Sequence, residues 1–251
     1  MCHKNILKNT LKTKPMPYSY VYSLILFLTI IICFIASFDK RIRFDHYFIP
    51  FIKAAVLVAI PFIAWDIWFT NIGVWWFNTN YTLGITLVNL PIEEWLFFIC
   101  IPFSCVFTYY CIDKFYNLSK LESFNNMITF AIVIICAVTA LINCNYIYTF
   151  ITAILTSLTL LYLHFIAHAR WLTQATMVYL VLMLGFFPVN GVLTGTGLPS
   201  PVVNYNEAHF MGIRMLTIPV EDAVYGYAQF IWVLYFFNRF KAQKDGLVQK
   251  N

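Results

Sequence analysis

Two short acidic clusters hold the residues best suited to chemistry in this chain. Pro91-Ile92-Glu93-Glu94 and Pro219-Val220-Glu221-Asp222 each stand where a polar loop turns into a long apolar run. Proline suits the first position of a helix, and acids suit its first turn, where free N–H groups and the positive dipole end favour negative charge. Three features ask for more than capping: two adjacent acids in each copy, recurrence in both halves of a chain with only 11 acidic residues, and placement in membrane-type segments. An ionised carboxylate at mid-depth of a membrane helix costs roughly 2.5 to 3.5 kcal/mol, and less near the interface. A carboxyl group in a dry pocket keeps its proton and can deliver it to a substrate. A second one that stays ionised can stabilise positive charge or take a proton back. Glu93, Glu94, Glu221 and Asp222 are therefore the candidate catalytic residues. Successive helical residues point about 100° apart, which leaves one acid of each pair free for a structural role.

Aromatic residues flank both clusters. Trp75, Trp76 and Trp95 lie near the first, and Tyr225 and Tyr227 follow the second within about two helical turns. Their faces could stabilise a carbocation by roughly 0.5 to 2 kcal/mol each where desolvated, and they suit interfacial anchoring equally well. Arg214 stands just before the second cluster, either as a partner for Glu221 or Asp222 or as an ordinary loop charge.

The clusters belong to a duplicated unit. Asn78, Gly84, Ile85, Pro91, Glu93 and Glu94 recur at a constant offset of 128 residues as Asn206, Gly212, Ile213, Pro219, Glu221 and Asp222. A slightly different offset pairs Asp66 and Thr70 with Asn190 and Thr194.

The elements that must position these residues are membrane helices. The chain has 251 residues, 61% of them hydrophobic and 11% charged, and its apolar runs exceed what a soluble core element needs. Apolar windows predict an all-α integral membrane protein of about seven spans, near Tyr20–Phe38, Pro50–Phe69, Pro91–Ile112, Ile128–Asn143, Tyr146–Ala167, Trp171–Leu193 and Ile218–Phe237. The fourth is the shortest. Pro61, Pro102 and Pro188 fall inside spans, where they kink rather than end a helix. The expected organisation is a first three-helix repeat over 17–127, a connecting helix over 128–145 and a second three-helix repeat over 146–240, with polar tails at 1–16 and 241–251. The connector restores the starting side of the membrane, so the repeats are parallel and both acidic clusters lie on one side.

The net charge of +5 resides in short loops and at the ends, which topology explains better than nucleic-acid binding. Lys40, Arg41, Arg43, Lys114, Lys120, Arg170, Arg239, Lys241, Lys244 and Lys250 share one side if the amino terminus is outside. Arg214 and the leading Lys4, Lys8, Lys12 and Lys14 then take the other. The positive-inside rule thus predicts a multi-pass cell-membrane protein with its amino terminus outside and its carboxyl terminus cytoplasmic. No small-residue cleavage site follows the first apolar run, so a removable signal peptide is not expected, and Met16 is an alternative start. The cysteines lie mostly within apolar runs, without a CxxC pair, and read as small apolar residues.

Familiar cofactor signals fail. Gly195-Thr196-Gly197 lacks the third glycine of a dinucleotide fingerprint, because Ser200 occupies that position and no strand precedes it. His164 and His168 have i, i+4 spacing on one helical face, but the chain has only 5 histidines and no HExxH. Two polar residues at an inner helix end is the simpler reading. Gly-x-Ser-x-Gly and Walker-type loops are absent.

Ser37-Phe38-Asp39-Lys40, Pro91 to Phe98, Asn190-Gly191-Val192-Leu193-Thr194-Gly195 and Gly212-Ile213-Arg214 leading into Pro219 to Asp222 together resemble the heterodimeric-type lycopene cyclases. The resemblance runs from about Tyr20 to Phe240 and is to the fused, single-chain form of two small three-helix subunits. It implies redox-neutral cyclisation of lycopene ends: protonation of the terminal double bond, attack of the neighbouring alkene on the tertiary cation, and proton loss that closes a β-ionone ring. It further implies proton transfer by Glu93, Glu94, Glu221 and Asp222, with support from Asp66 and Asn190 and from the loop residues Asn78, Asn206 and Arg214. Lycopene or a related polyene and the lipid bilayer are the expected partners, and no cofactor is expected. Another carboxylate-driven terpenoid cyclase would differ in pocket length. A proton-coupled transporter would need a water path to both sides, whereas a cyclase needs a lipid-side opening.

Overall fold

The computed structural model describes residues 18–248; the four leading lysines and Met16 lie outside them. Seven α-helices run through the described residues: α1 (Val21–Ala36), α2 (Phe48–Asn71), α3 (Ile92–Phe115), α4 (Asn125–Ile142), α5 (Ile147–Leu161), α6 (Leu172–Leu193) and α7 (Val220–Val248). Five of these regions are long and apolar enough to cross a membrane, while α1 is a shorter apolar helix. Leu141 on α4 and Leu184 on α6 are 76% and 77% exposed, so large apolar faces point outward, uncovered by any of the described residues. Lipid is the solvent that suits such a surface. The principal core lies between α2, α3 and α7, with Phe51, Phe98, Val106, Ile231 and Leu234 almost fully buried.

Between the helices lie six short strands: β1 (Trp75–Phe77), β2 (Thr86–Leu87), β3 (Leu90–Pro91), β4 (Val203–Tyr205), β5 (Arg214–Met215) and β6 (Ile218–Pro219). They carry the duplication into the backbone. The β2–β3 hairpin pairs Thr86 with Pro91, and the β5–β6 hairpin pairs Arg214 with Pro219, the equivalent positions. Each hairpin is closed onto its helix by one further bond, from Ile92 N–H to the Ile85 carbonyl at 2.9 Å and from Val220 N–H to the Ile213 carbonyl at 3.1 Å. Strand β1 pairs antiparallel with β4, matching Trp75 to Tyr205, Trp76 to Asn204 and Phe77 to Val203. Exchanging the two copies maps this ladder onto itself about the Trp76–Asn204 pair, so a pseudo-twofold axis passes through it. The repeats meet at their own symmetry element, on the side where both acidic clusters begin.

Several local expectations change. Pro91 is not the first helical residue: it is extended, closes the hairpin opposite Thr86 and precedes the helix as its N-cap. As expected, helices α2, α3 and α6 are not ended by Pro61, Pro102 and Pro188. The fourth helix, with 18 residues, is longer than α1 with 16 or α5 with 15, although a π-helical turn at Tyr162–Ile166 extends α5. That turn and a left-handed His168, at φ 52°, take His164 and His168 off a common α-helical face. Helix α7 runs past the expected Phe237 to Val248 because its polar end docks on the α1–α2 loop: the Tyr47 hydroxyl donates to Asp245 at 3.2 Å, and Lys241 lies over the Tyr47 and Tyr110 rings.

Gly84 and Gly212 occupy equivalent bends at φ 76° and 79°, and an added Cβ would meet no atom within 4 Å at either. The cost of a side chain there is conformational alone. Gly84→Ala and Gly212→Ala should each destabilise the purified protein by about 1 kcal/mol. Thermal unfolding in detergent measures this, and a loss at one glycine only would contradict their equivalence.

Candidate active site

The two acids of each cluster part company. Glu93 turns back toward its hairpin, where its Oε1 accepts the Leu83 N–H at 2.6 Å and the Ser23 hydroxyl of α1 at 3.2 Å. Glu221 repeats this with the Met211 N–H at 3.0 Å and the Thr149 hydroxyl of α5 at 2.5 Å. Both are buried clips that bind a hairpin, a helix start and a neighbouring helix into one unit.

Glu94 and Asp222 face inward, to a shared cavity of about 730 Å³. The Tyr22 hydroxyl of α1 donates to Glu94 Oε2. Asp222 receives two phenols, Tyr148 of α5 on Oδ1 and Tyr205 of β4 on Oδ2, both at 2.7 Å. The lining on α7 is Asp222, Tyr225, Gly226, Gln229 and Phe230, the i, i+3, i+4, i+7, i+8 stripe of one helical face. On α3 it runs from Glu94 to Thr108, about 20 Å of helix. Pro102 and Pro188 also line it. Leu28 of α1 and Leu184 of α6 line the cavity while being 57% and 77% exposed, so it opens on the lipid side between these helices.

A third carboxyl joins the cavity. Asp66 of α2, 3% exposed, lines it and accepts the Trp75 indole N–H on Oδ1 at 2.5 Å. Asn190, its counterpart in the second copy, also lines the cavity, with its amide nitrogen 3.5 Å from the Phe186 carbonyl.

Of the five aromatic candidates, Trp75 and Tyr225 line the cavity, with ring centroids 6.4 Å apart. Trp76 is 48% exposed, and Trp95 packs against the main core outside the lining. Tyr227 is buried beyond the cavity wall, against the Thr176 hydroxyl at 2.7 Å. Asn78 and Asn206 are turn residues: each side-chain oxygen accepts a backbone N–H two residues on, from Asn80 and Ala208, at 3.1 Å. Arg214 pairs with Glu207 at 2.8 Å and stacks over Phe210 at 4.8 Å, leaving Glu221 and Asp222 to neutral donors. Among the described residues, no three His, Cys, Asp or Glu side chains gather as a metal site.

The donors to the acids, Tyr22, Ser23, Tyr148, Thr149 and Tyr205, are absent from the sequence-based candidates. A signal existed for four of them. Tyr20-Val21-Tyr22-Ser23 and Tyr146-Ile147-Tyr148-Thr149 are the same pattern, at an offset shifted slightly from that of the acidic clusters.

These features define a duplicated helical membrane protein in which two parallel repeats build one carboxyl-lined, apolar cavity open to lipid. The family model for lycopene cyclase matches the chain twice, over residues 19–112 and 145–240, and the protein belongs to that family. Membership makes it an enzyme of carotenoid cyclisation acting on a polyene. No curated protein and no solved structure matches the chain.

The clip acids and the cavity acids should separate in mutagenesis. Glu221→Ala removes the acceptor that the buried Thr149 hydroxyl shares with the Met211 N–H and should lower stability by about 1 to 3 kcal/mol, whereas Glu221→Gln, which keeps an acceptor oxygen, should recover most of it. Detergent-phase melting of the two variants tests this; equal destabilisation by both would remove the clip role.

Proposed function

We propose that the protein is a lycopene β-cyclase that closes linear polyene ends by acid–base catalysis. The observation that carries this reading is the convergence of Glu94 and Asp222, one from each copy, in one apolar cavity with a lipid-side opening. A polyene is dissolved in the bilayer, and entry between α1 and α6 delivers it without passage through water. The cavity walls hold the flexible end in a ring-like fold, so that part of the barrier is met by preorganisation.

A carboxyl in the cavity wall protonates the terminal double bond. The cation that results lies among Tyr225, Trp75 and the remaining carboxylate, which supply opposing charge and aromatic faces. Attack by the neighbouring alkene closes the ring, and loss of a proton to the carboxylate restores a neutral product. Electrons are only rearranged, so the scheme asks for no redox partner. One cavity serves both copies, so each binding event closes one end. The excess of Lys and Arg on the opposite side supports a topology with the acidic clusters at the outer face of the cell membrane and the carboxyl terminus in the cytoplasm.

Expression in a lycopene-accumulating host should convert lycopene to ring-containing products, with the monocyclic product appearing first in a time course. Glu94→Gln and Asp222→Asn should each reduce conversion by about 10²-fold or more. Unchanged lycopene, with the protein present in the membrane, would contradict the assignment. For orientation, Cys144 is an exposed cysteine in the α4–α5 loop. In a Cys2→Ser background, a membrane-impermeant thiol reagent applied to intact cells should label it.

A further inference from the structure

We infer that Asp66 is a catalytic residue, the carboxyl that delivers the initiating proton, rather than a support for the acidic clusters. The inference rests on the cyclase reading and identifies a donor within it. The two copies are alike in the backbone and in their clip acids, and differ inside the cavity. Where the first copy places Asp66 beside the Trp75 indole, the second has Asn190 and Val203. Where the second places the Tyr205 phenol, the first has Phe77.

These exchanges distribute hydrogen-bond donors unequally. Asp222 has a phenol on each oxygen, the arrangement of a carboxylate held as an anion. Asp66 has a donor on Oδ1 only, while Oδ2 is buried without a partner. A proton on Oδ2 completes that carboxyl, while the indole holds its other oxygen at the cavity wall. Glu93 and Glu221 also have one unpartnered oxygen, but neither lines the cavity. Glu94, with its Tyr22 donor, stands between the two roles and lines the same wall.

The cycle balances on these groups. The proton on Asp66 forms a C–H bond with the π pair of the terminal alkene, leaving Asp66 as carboxylate and the substrate as a tertiary cation. The π pair of the neighbouring alkene forms the ring C–C bond. A ring proton then passes to Asp222, its C–H pair becomes the new double bond, and Asp222 is left neutral. Transfer of one proton from Asp222 to Asp66 resets the site.

The test is Asp66→Asn, assayed by pigment analysis in the lycopene-accumulating host and normalised to tagged protein in the membrane. The amide keeps an oxygen for the Trp75 indole and removes only the transferable proton. Turnover should fall by about 10²-fold or more. Asp66→Glu, which restores an acid, should regain at least a tenth of wild-type turnover. Asp66→Asn that stays active while Glu94→Gln and Asp222→Asn are inactive would overturn the inference and leave the cyclase reading standing. Loss in both Asp66 variants at normal protein level would assign the residue to geometry and also overturn it. Unconverted lycopene with the wild-type protein would remove both.

Discussion

A carboxylate buried among apolar helices must be supplied with hydrogen-bond donors, because an unpartnered charge there costs more than any single packing contact returns. In this protein many of the donors come from other helices. Tyr22 and Ser23 of α1 reach Glu94 and Glu93, and Tyr148 and Thr149 of α5 reach Asp222 and Glu221. The acids therefore act as joints: α1 is tied to α3, and α5 to α7, by polar bonds whose alternative is a bare charge in hydrocarbon. Apolar packing between helices lacks such direction, since lipid competes for the same surfaces.

The adjacency of two acids follows from the same constraint. One carboxyl at the helix start holds the hairpin, and the next, rotated about 100°, faces the cavity. Glu93 and Glu221 hold Leu83 and Met211 in the hairpin approach, and the β1–β4 ladder seats the copies against each other. The cavity acids are thereby mounted on backbone rather than on free side chains. Their separation is set by the ladder and the helix starts, which suits the proposed cycle, in which a proton donor and an acceptor face one substrate.

Much of this was legible in the sequence because duplication writes it twice. The recurrence of Asn78 to Glu94 as Asn206 to Asp222 announced the hairpin-to-helix unit, and the apolar runs announced the helices. That the two acids of a pair divide their roles was readable from the 100° step, but which one faces inward was not: Glu221 is spaced as well as Asp222 to share a face with Tyr225 and Gln229, and packing alone turns Asp222 to the cavity. What periodicity does not contain is contact across the fold. Trp75 and Trp95 are both near Glu94 in the chain, yet only Trp75 turns into the cavity, because β1 pairs with a strand about half the chain away. Arg214 is adjacent to the second cluster but is turned to Glu207 by its place in the hairpin.

Duplication also explains why the site's asymmetry is informative. Two copies of one unit begin with identical chemistry, and a cavity on their shared axis would present the same groups from both sides. Identical carboxyls in identical surroundings have the same intrinsic affinity for the proton, so only their mutual repulsion or the substrate could set one apart as acid and the other as base. The hairpins and clips, which only hold the architecture, remain matched down to the bond. The departures lie at Asp66 against Asn190, Trp75 against Val203 and Phe77 against Tyr205, all around the cavity. Glu94 has one phenol and Asp222 has two. Symmetry is thus kept where it builds the bundle and broken around the cavity, where the proposed cycle needs a donor and an acceptor that differ.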